Sequence, residues 1–131
     1  MSIPAPTEHV EQCHVVAWFW AQYPKLRKRL FAIPNGAHLA GTPRQRAAKM
    51  ARMKAEGFRV GVSDLFLMEP RGGFAGLFVE MKRRNAVPSD ISDDQEAFIA
   101  DARAAGYRAE AAKGAAAAIA IITEYLNQEA A

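Results

Sequence analysis

The sequence predicts an α/β fold with a central mixed β-sheet and helices on both of its faces. Apolar residues recur with helical spacing in some stretches and form short strand-like runs in others. Capping and turn residues separate these stretches. The resulting order is α-β-α-β-β-α-β-α, which is typical of an α/β domain. The 131 residues are enough for one domain with one core, so we expect residues 1–131 to fold as a single unit.

The first predicted helix begins after Thr7, whose hydroxyl suits an N-cap, and ends before Pro24. We expect Trp20 to lie in the core and Trp18 to lie at an interface. The predicted apolar face of the helix comprises Cys13, Val16, Phe19 and Trp20.

A basic turn over residues 24–29 leads to a short apolar strand at 30–33 and a second turn at 34–36. The next helix starts at Thr42-Pro43 and is closed by Gly57. One face of this helix carries only small side chains, which would allow another backbone to approach closely. That face comprises Ala47, Ala48, Ala51 and Ala55.

Two β-like runs follow, at 64–68 and 75–82, joined by a hairpin-type loop at 70–73. A helix capped by Ser92 runs to about residue 105 and is closed by Gly106. A weak fourth strand at 107–111 and a helix at 115–128 complete the chain.

Several classes of protein are disfavoured. No run of 18 apolar residues is present, so we expect no membrane-spanning helix. The first twelve residues carry no basic side chain, which is unlike a secretory or transit signal. Cys13 is the sole cysteine and excludes a disulfide framework and a cysteine-built zinc site. A cytoplasmic location is the simplest expectation.

The charge is distributed unevenly. Residues 1–84 contain fourteen Lys and Arg against six Asp and Glu, a net charge of +8. Residues 85–131 contain three Lys and Arg against eight Asp and Glu, a net charge of −5. Such an asymmetry indicates either a basic surface that meets a polyanion or a scatter of solvated charges.

The chemistry is expected at the two central strands. Asp64 opens the first, while Glu80 and Lys82 end the second and point to the same face. The start of one hairpin strand lies beside the end of the next, so the three side chains should meet. A divalent cation would relieve the repulsion between the two carboxylates, and oxygen ligands suit Mg²⁺ or Mn²⁺. The Met81 carbonyl offers a further oxygen. An exposed ion pair is the alternative for Glu80 and Lys82.

This pattern resembles the PD-(D/E)XK nuclease signature and, more narrowly, the VRR-Nuc family in its small stand-alone, phage-type form. The resemblance covers roughly residues 8–114. The matching pieces, in order, are Glu8-His9-x-x-Gln12, Ile33-Pro34-Asn35-Gly36, Gly61-x-Ser63-Asp64-Leu65, Phe78-Val79-Glu80-Met81-Lys82 and Gln95. Ser63 stands where the family usually has proline, which weakens the match of that motif.

The resemblance implies a role for each matching residue. Asp64 and Glu80 would hold the metal, and Glu8 could complete its shell. Lys82 would orient or deprotonate the attacking water and stabilise charge on the phosphate. Gln95 would lie near the lysine and help to position water or phosphate.

Basic side chains along the first two thirds of the chain would contact DNA phosphates without reading bases. Asn35 is either a DNA or metal-site contact or a turn residue, and His38 is either a phosphate contact or a simple loop histidine. The predicted DNA-binding residues are Lys25, Lys28, Arg29, Asn35, His38, Arg44, Arg46, Lys49, Arg83 and Arg84.

The resemblance implies a restriction-endonuclease-like fold and a metal-dependent DNA endonuclease using Mg²⁺ or Mn²⁺. Branched or four-way (Holliday) junction DNA is the expected substrate, since the small chain has no separate sequence-reading module. Cutting two strands of a symmetric junction needs two active sites, which a homodimer supplies. A nuclease acting on flaps, ends or RNA, and a non-catalytic DNA-binding accessory protein of the same fold, are the alternatives.

Overall fold

A computed structural model of the chain describes residues 3–34 and 39–130. It contains four helices and four strands in the predicted order, together with short 3₁₀ helices at Pro24–Arg29 and Pro88–Asp90. In chain order the elements are α1 Glu8–Gln22, β1 Leu30–Ala32, α2 Pro43–Ala55, β2 Leu65–Leu67, β3 Leu77–Lys82, α3 Asp93–Ala104, β4 Arg108–Lys113 and α4 Ala115–Leu126.

The four strands form one mixed sheet in the order β1-β2-β3-β4. The pairs β1/β2 and β2/β3 are antiparallel, and β3/β4 is parallel. Helix α3 makes the crossover that a parallel pair requires. The predicted fold class, an α/β domain with a restriction-endonuclease-like core, is therefore confirmed.

The predicted helix starts are confirmed because they depend on local chemistry. The hydroxyls of Thr7, Thr42 and Ser92 each accept a hydrogen bond from a backbone N–H three residues on. Thr42 and Ser92 also form reciprocal capping boxes with the glutamine at the third helical position. The turn predicted at 24–29 is a 3₁₀ helix. Strands β1 to β3 are shorter than predicted, whereas β4 is one residue longer and ends at Lys113 instead of residue 111.

The main core lies between the sheet and the pair α1 and α4. Helix α1 contributes Val15 and Phe19, and α4 contributes Ile122 and Tyr125. Every second side chain of strands β2 and β3 packs against these helices. A smaller cluster on the opposite face packs α3 against β3 and β4. Helices thus cover both faces of the sheet.

The prediction of which face of α1 is buried is wrong, because the observed buried face is rotated by part of a helical turn from the predicted one. The buried positions are Glu11, Val15 and Phe19, spaced four residues apart. Trp20 is 40% exposed, whereas Trp18 packs against the core. The prediction failed because apolar residues surround most of this helix, so their spacing did not single out one face.

The alanine face of α2 does not pack against another backbone. All thirteen helix residues are described, and none is buried. The prediction of close approach is therefore wrong within the single chain. In the part of the chain that the structure describes, no helix is both long and apolar enough to cross a membrane.

Candidate active site

The β2/β3 register brings the predicted acidic residues together. Leu65 pairs with Val79, which places the preceding Asp64 beside the end of β3. The Met81 N–H donates a hydrogen bond of 2.7 Å to Asp64 Oδ2. The backbone of β3 therefore fixes the first carboxylate directly, as the hairpin argument predicts.

Glu80 and Lys82 share one face of β3 and are almost fully enclosed, at 3% and 7% exposure. Lys82 Nζ lies 3.8 Å from Glu80 Oε1. The exposed ion pair considered as an alternative is therefore wrong, because both groups are buried. Buried charges of this kind are costly unless they are paired or bind an ion.

Gln95 connects this pair to helix α3. Its Nε2 donates a hydrogen bond of 2.8 Å to Glu80 Oε1. Its Oε1 accepts one of 2.9 Å from the Ser92 N–H in the capping box. The cap fixes which end of the amide points at the site. Gln95 contacts the same Glu80 oxygen that lies 3.8 Å from Lys82 Nζ, so it is close to the lysine, and its role stays a prediction.

The site has an excess of negative charge. Burial, reinforced by the neighbouring Asp64 carboxylate, raises the pKa of Glu80 to about 8, and Lys82 opposes this rise. Burial also raises the pKa of Asp64, against the Met81 hydrogen bond. Glu80 Oε2 is buried and has no hydrogen-bond partner among the described residues. Two facing carboxylates with an unpartnered oxygen are suited to a cation.

The donor set fits a hard divalent metal. Asp64 and Glu80 present oxygen ligands, and the Met81 carbonyl would be a third. Among the described residues, no three His, Cys, Asp or Glu side chains gather closely enough to hold a metal ion. Glu8 is exposed and contributes to the rise in the Glu80 pKa. Its place in a metal shell stays a prediction.

Three of the predicted DNA-binding arginines have partners within the chain. Arg29 pairs with Glu69 at 2.6 Å, toward the end of the sheet away from Asp64. Arg83 donates to two N-terminal carbonyls, and Arg84 pairs with Glu11 at 2.9 Å. These guanidiniums therefore have structural contacts, which local sequence could not reveal.

The remaining predicted basic contacts lie at the surface. Lys25 and Lys28 are exposed in the first 3₁₀ helix, and Arg44 and Arg46 are exposed on α2. Lys49 is also on α2, where its Nζ donates to the Ala40 carbonyl at 2.8 Å. Asn35 and His38 lie outside the described residues. The DNA-binding role of all of these residues stays a prediction.

Glu11 is a residue next to the site that sequence reasoning missed. It is fully buried, and its pKa is lowered chiefly by the Arg84 guanidinium. The backbone of Ala115, at the start of α4, lowers this pKa further. Glu11 thus joins α1, the end of β3 and α4. The four-residue spacing of Glu11, Val15 and Phe19 was the feature of the sequence that could have predicted its burial.

Comparisons with known proteins agree with this geometry. The family model for the VRR-NUC domain matches residues 3–116. A solved structure described as a VRR_NUC domain protein superposes with a TM-score of 0.81 and 25% sequence identity, and the match covers 98% of this chain and 94% of that chain. A comparison with curated protein sequences finds no significant match.

Proposed function

Because the chain belongs to the VRR-Nuc family, a family with a nuclease-type fold, we propose that it is a metal-dependent endonuclease that hydrolyses phosphodiester bonds in branched DNA. The observation that carries this proposal is the cluster in which the half-buried Asp64 lies beside the buried Glu80 and Lys82. Facing carboxylates beside an enclosed lysine are the groups that phosphodiester hydrolysis needs.

Asp64, Glu80 and the Met81 carbonyl would hold Mg²⁺ or Mn²⁺. When bound, such a metal supplies an activated water and relief of negative charge on the phosphate. Lys82 places its ammonium beside the same carboxylates, where it orients the attacking water and balances charge that develops on the phosphate.

Gln95 is a positioning residue in this scheme. Its amide nitrogen holds Glu80 Oε1, so that Oε2 is the oxygen left without a partner among the described residues. Because the other end of the amide is engaged in the α3 cap, the Glu80 side chain is held by a rigid element.

We propose that the exposed cations of the first 3₁₀ helix and of α2 bind DNA backbone phosphates. These elements include Lys25, Lys28, Arg44 and Arg46, and α2 contains no acidic residue. Phosphate contacts give affinity that is independent of base sequence and falls with salt. Because such contacts carry no base-sequence information, selectivity would come from the shape of the DNA.

A symmetric four-way junction is the proposed substrate, and a homodimer is the proposed active form. Two cuts on opposing strands require two catalytic sites, which two-fold symmetry supplies. The exposed alanine face of α2 is available to such an assembly.

The test is a substrate panel of labelled four-way junction, flap, duplex and single strand, in Mg²⁺, Mn²⁺ or EDTA. We expect cleavage of the junction that requires metal. Binding without cleavage in any metal would instead support a non-catalytic accessory protein. Cleavage of flaps but not junctions, or of RNA, would reassign the substrate.

A further inference from the structure

A groove runs along α1 from Asp64, one of the two carboxylates of the candidate site. It has a volume of about 550 Å³ and starts at Asp64 and Glu8. Pockets of this size accommodate small organic ligands. One wall is the exposed side of α1 and the other is the continuation of β1. The wall residues include His9, Cys13, Val16, Trp20, Ile33 and Pro34.

The walls of this groove are mainly apolar although they face solvent. Cys13 and Trp20 are exposed, and Val16 is half-buried. Ile33 and Pro34 face them from the other side. An exposed apolar strip next to a polar catalytic cluster indicates a binding site, because water is a poor partner for such a surface.

The far end of the groove combines an aromatic ring with positive charge. The Arg27 guanidinium lies 4.2 Å from the centre of the Trp20 ring. Lys25 and Lys28 belong to the same 3₁₀ helix as Arg27. An exposed indole beside one guanidinium, on a segment that has two further cations, is complementary to a base and its phosphates, since aromatic stacking and backbone charge are how unpaired strands are bound.

We propose that this groove binds an unpaired nucleotide of the DNA strand that is cut, with a base stacked near Trp20 and phosphates directed to the Lys25–Lys28 segment. This inference rests on the proposed nuclease function and specifies its substrate. A base stacked within a duplex cannot enter the groove. The groove therefore favours DNA in which a nucleotide next to the scissile phosphate is unpaired or can unpair, as at the branch point of a junction.

The first test compares Trp20→Ala with Phe31→Ala. Phe31 is a matched control because it is 43% exposed but packs against Phe66 on the other face of the sheet. Affinities are measured in EDTA for a duplex and for the same duplex containing a short single-stranded gap. We expect Trp20→Ala to weaken gapped-DNA binding about tenfold and duplex binding hardly at all. Trp20→Phe should restore most of the loss.

The same test overturns the proposal in two ways. Equal weakening of gapped-DNA and duplex binding by Trp20→Ala would show a general effect rather than a base site. Equal losses of gapped-DNA affinity in the Trp20 and Phe31 variants would show that exposed aromatic side chains contribute to binding whether or not they line the groove. Circular dichroism and thermal unfolding check that each variant is folded.

Cys13 gives an independent readout in the unaltered protein. It is the sole cysteine and lies in the groove wall, so its alkylation by N-ethylmaleimide reports access to the groove. We expect saturating gapped DNA to slow alkylation about fivefold or more, while saturating duplex leaves the rate nearly unchanged. Equal protection by the two DNAs would contradict the proposal.

These readouts separate the groove from the nuclease activity. If the wild-type protein cuts no nucleic acid with any metal, the proposed function fails even when gapped DNA protects Cys13. If the protein cuts branched DNA while Trp20→Ala binds gapped DNA normally, the groove proposal fails and the nuclease proposal stands.

Discussion

The amide of Gln95 holds the Glu80 carboxylate at 2.8 Å while it closes the cap of helix α3. One side chain thus joins a local folding signal to the candidate active site. Gln95→Ala should lower the cleavage rate by roughly tenfold to a hundredfold, because Glu80 loses its support. It should also cost about 1 kcal/mol of stability through the cap.

Ser92→Ala is the matched control for this prediction. It removes the hydroxyl half of the same capping box but keeps the backbone N–H that orients Gln95. We expect a similar loss of stability with near-normal cleavage. If the two variants lose cleavage equally, Gln95 acts through helix stability alone. Single-turnover cleavage and urea unfolding give both quantities.

Lys82→Met should abolish cleavage while DNA binding stays within a few fold. One charge is lost at the reacting phosphate, whereas many phosphate contacts elsewhere supply the affinity. Lys113→Met is the control, since Lys113 is the exposed β4 partner of Lys82 in the parallel register. Wild-type cleavage by the Lys82 variant would refute the assigned role.

The metal-free protein should lose stability as pH rises from about 4.5 to about 8. Glu80 has its pKa raised to about 8 in the folded state, so the folded state binds the proton more tightly than the unfolded one across this window. The loss is at most about 1.4 kcal/mol per pH unit. Glu80→Gln should flatten the slope and raise Tm at pH 8 in EDTA. An unchanged slope would show that Glu80 is not the titrating group.

The Glu11–Arg84 pair should have the opposite pH dependence. The pKa of Glu11 is lowered by Arg84, so its contribution is present above pH 4.5 and is lost as pH falls through the lower folded value. Glu11→Gln should lower Tm by roughly 5 °C at pH 7. It should also make stability less sensitive to acid below pH 4.5. Thermal unfolding between pH 3 and 7 measures this, and an unaltered acid profile would contradict it.

The exposed cations of α2 should act through DNA binding alone. Replacing Arg44 and Arg46 by alanine removes two cations that have no place in the core. We expect the salt dependence of log affinity to become shallower by about 2 units, with stability unchanged. A junction-binding titration at several salt concentrations tests this. An unchanged slope of log affinity against log salt concentration would show that DNA does not bind at α2.

Local signals predicted most of the fold. Caps, glycine ends and the hairpin register depend on neighbouring residues, so the element order and the meeting of Asp64 with β3 followed from the sequence. The buried face of α1 did not, because Glu11 is enclosed by Arg84 and by the start of α4, both far along the chain. The partners of Arg29 and Arg83 were equally non-local. The exposure of α2 depends on packing that its alanine spacing does not encode.

The central claim is that Asp64 and Glu80 hold a metal beside Lys82 to cut DNA. Single-turnover cleavage of a labelled four-way junction by wild type and Asp64→Asn, with Mg²⁺ or Mn²⁺ at pH 8, tests it most directly. We predict metal-dependent cuts by wild type and a loss of about a thousandfold or more in the variant, with junction binding retained. Cleavage by Asp64→Asn at the wild-type rate would contradict the account.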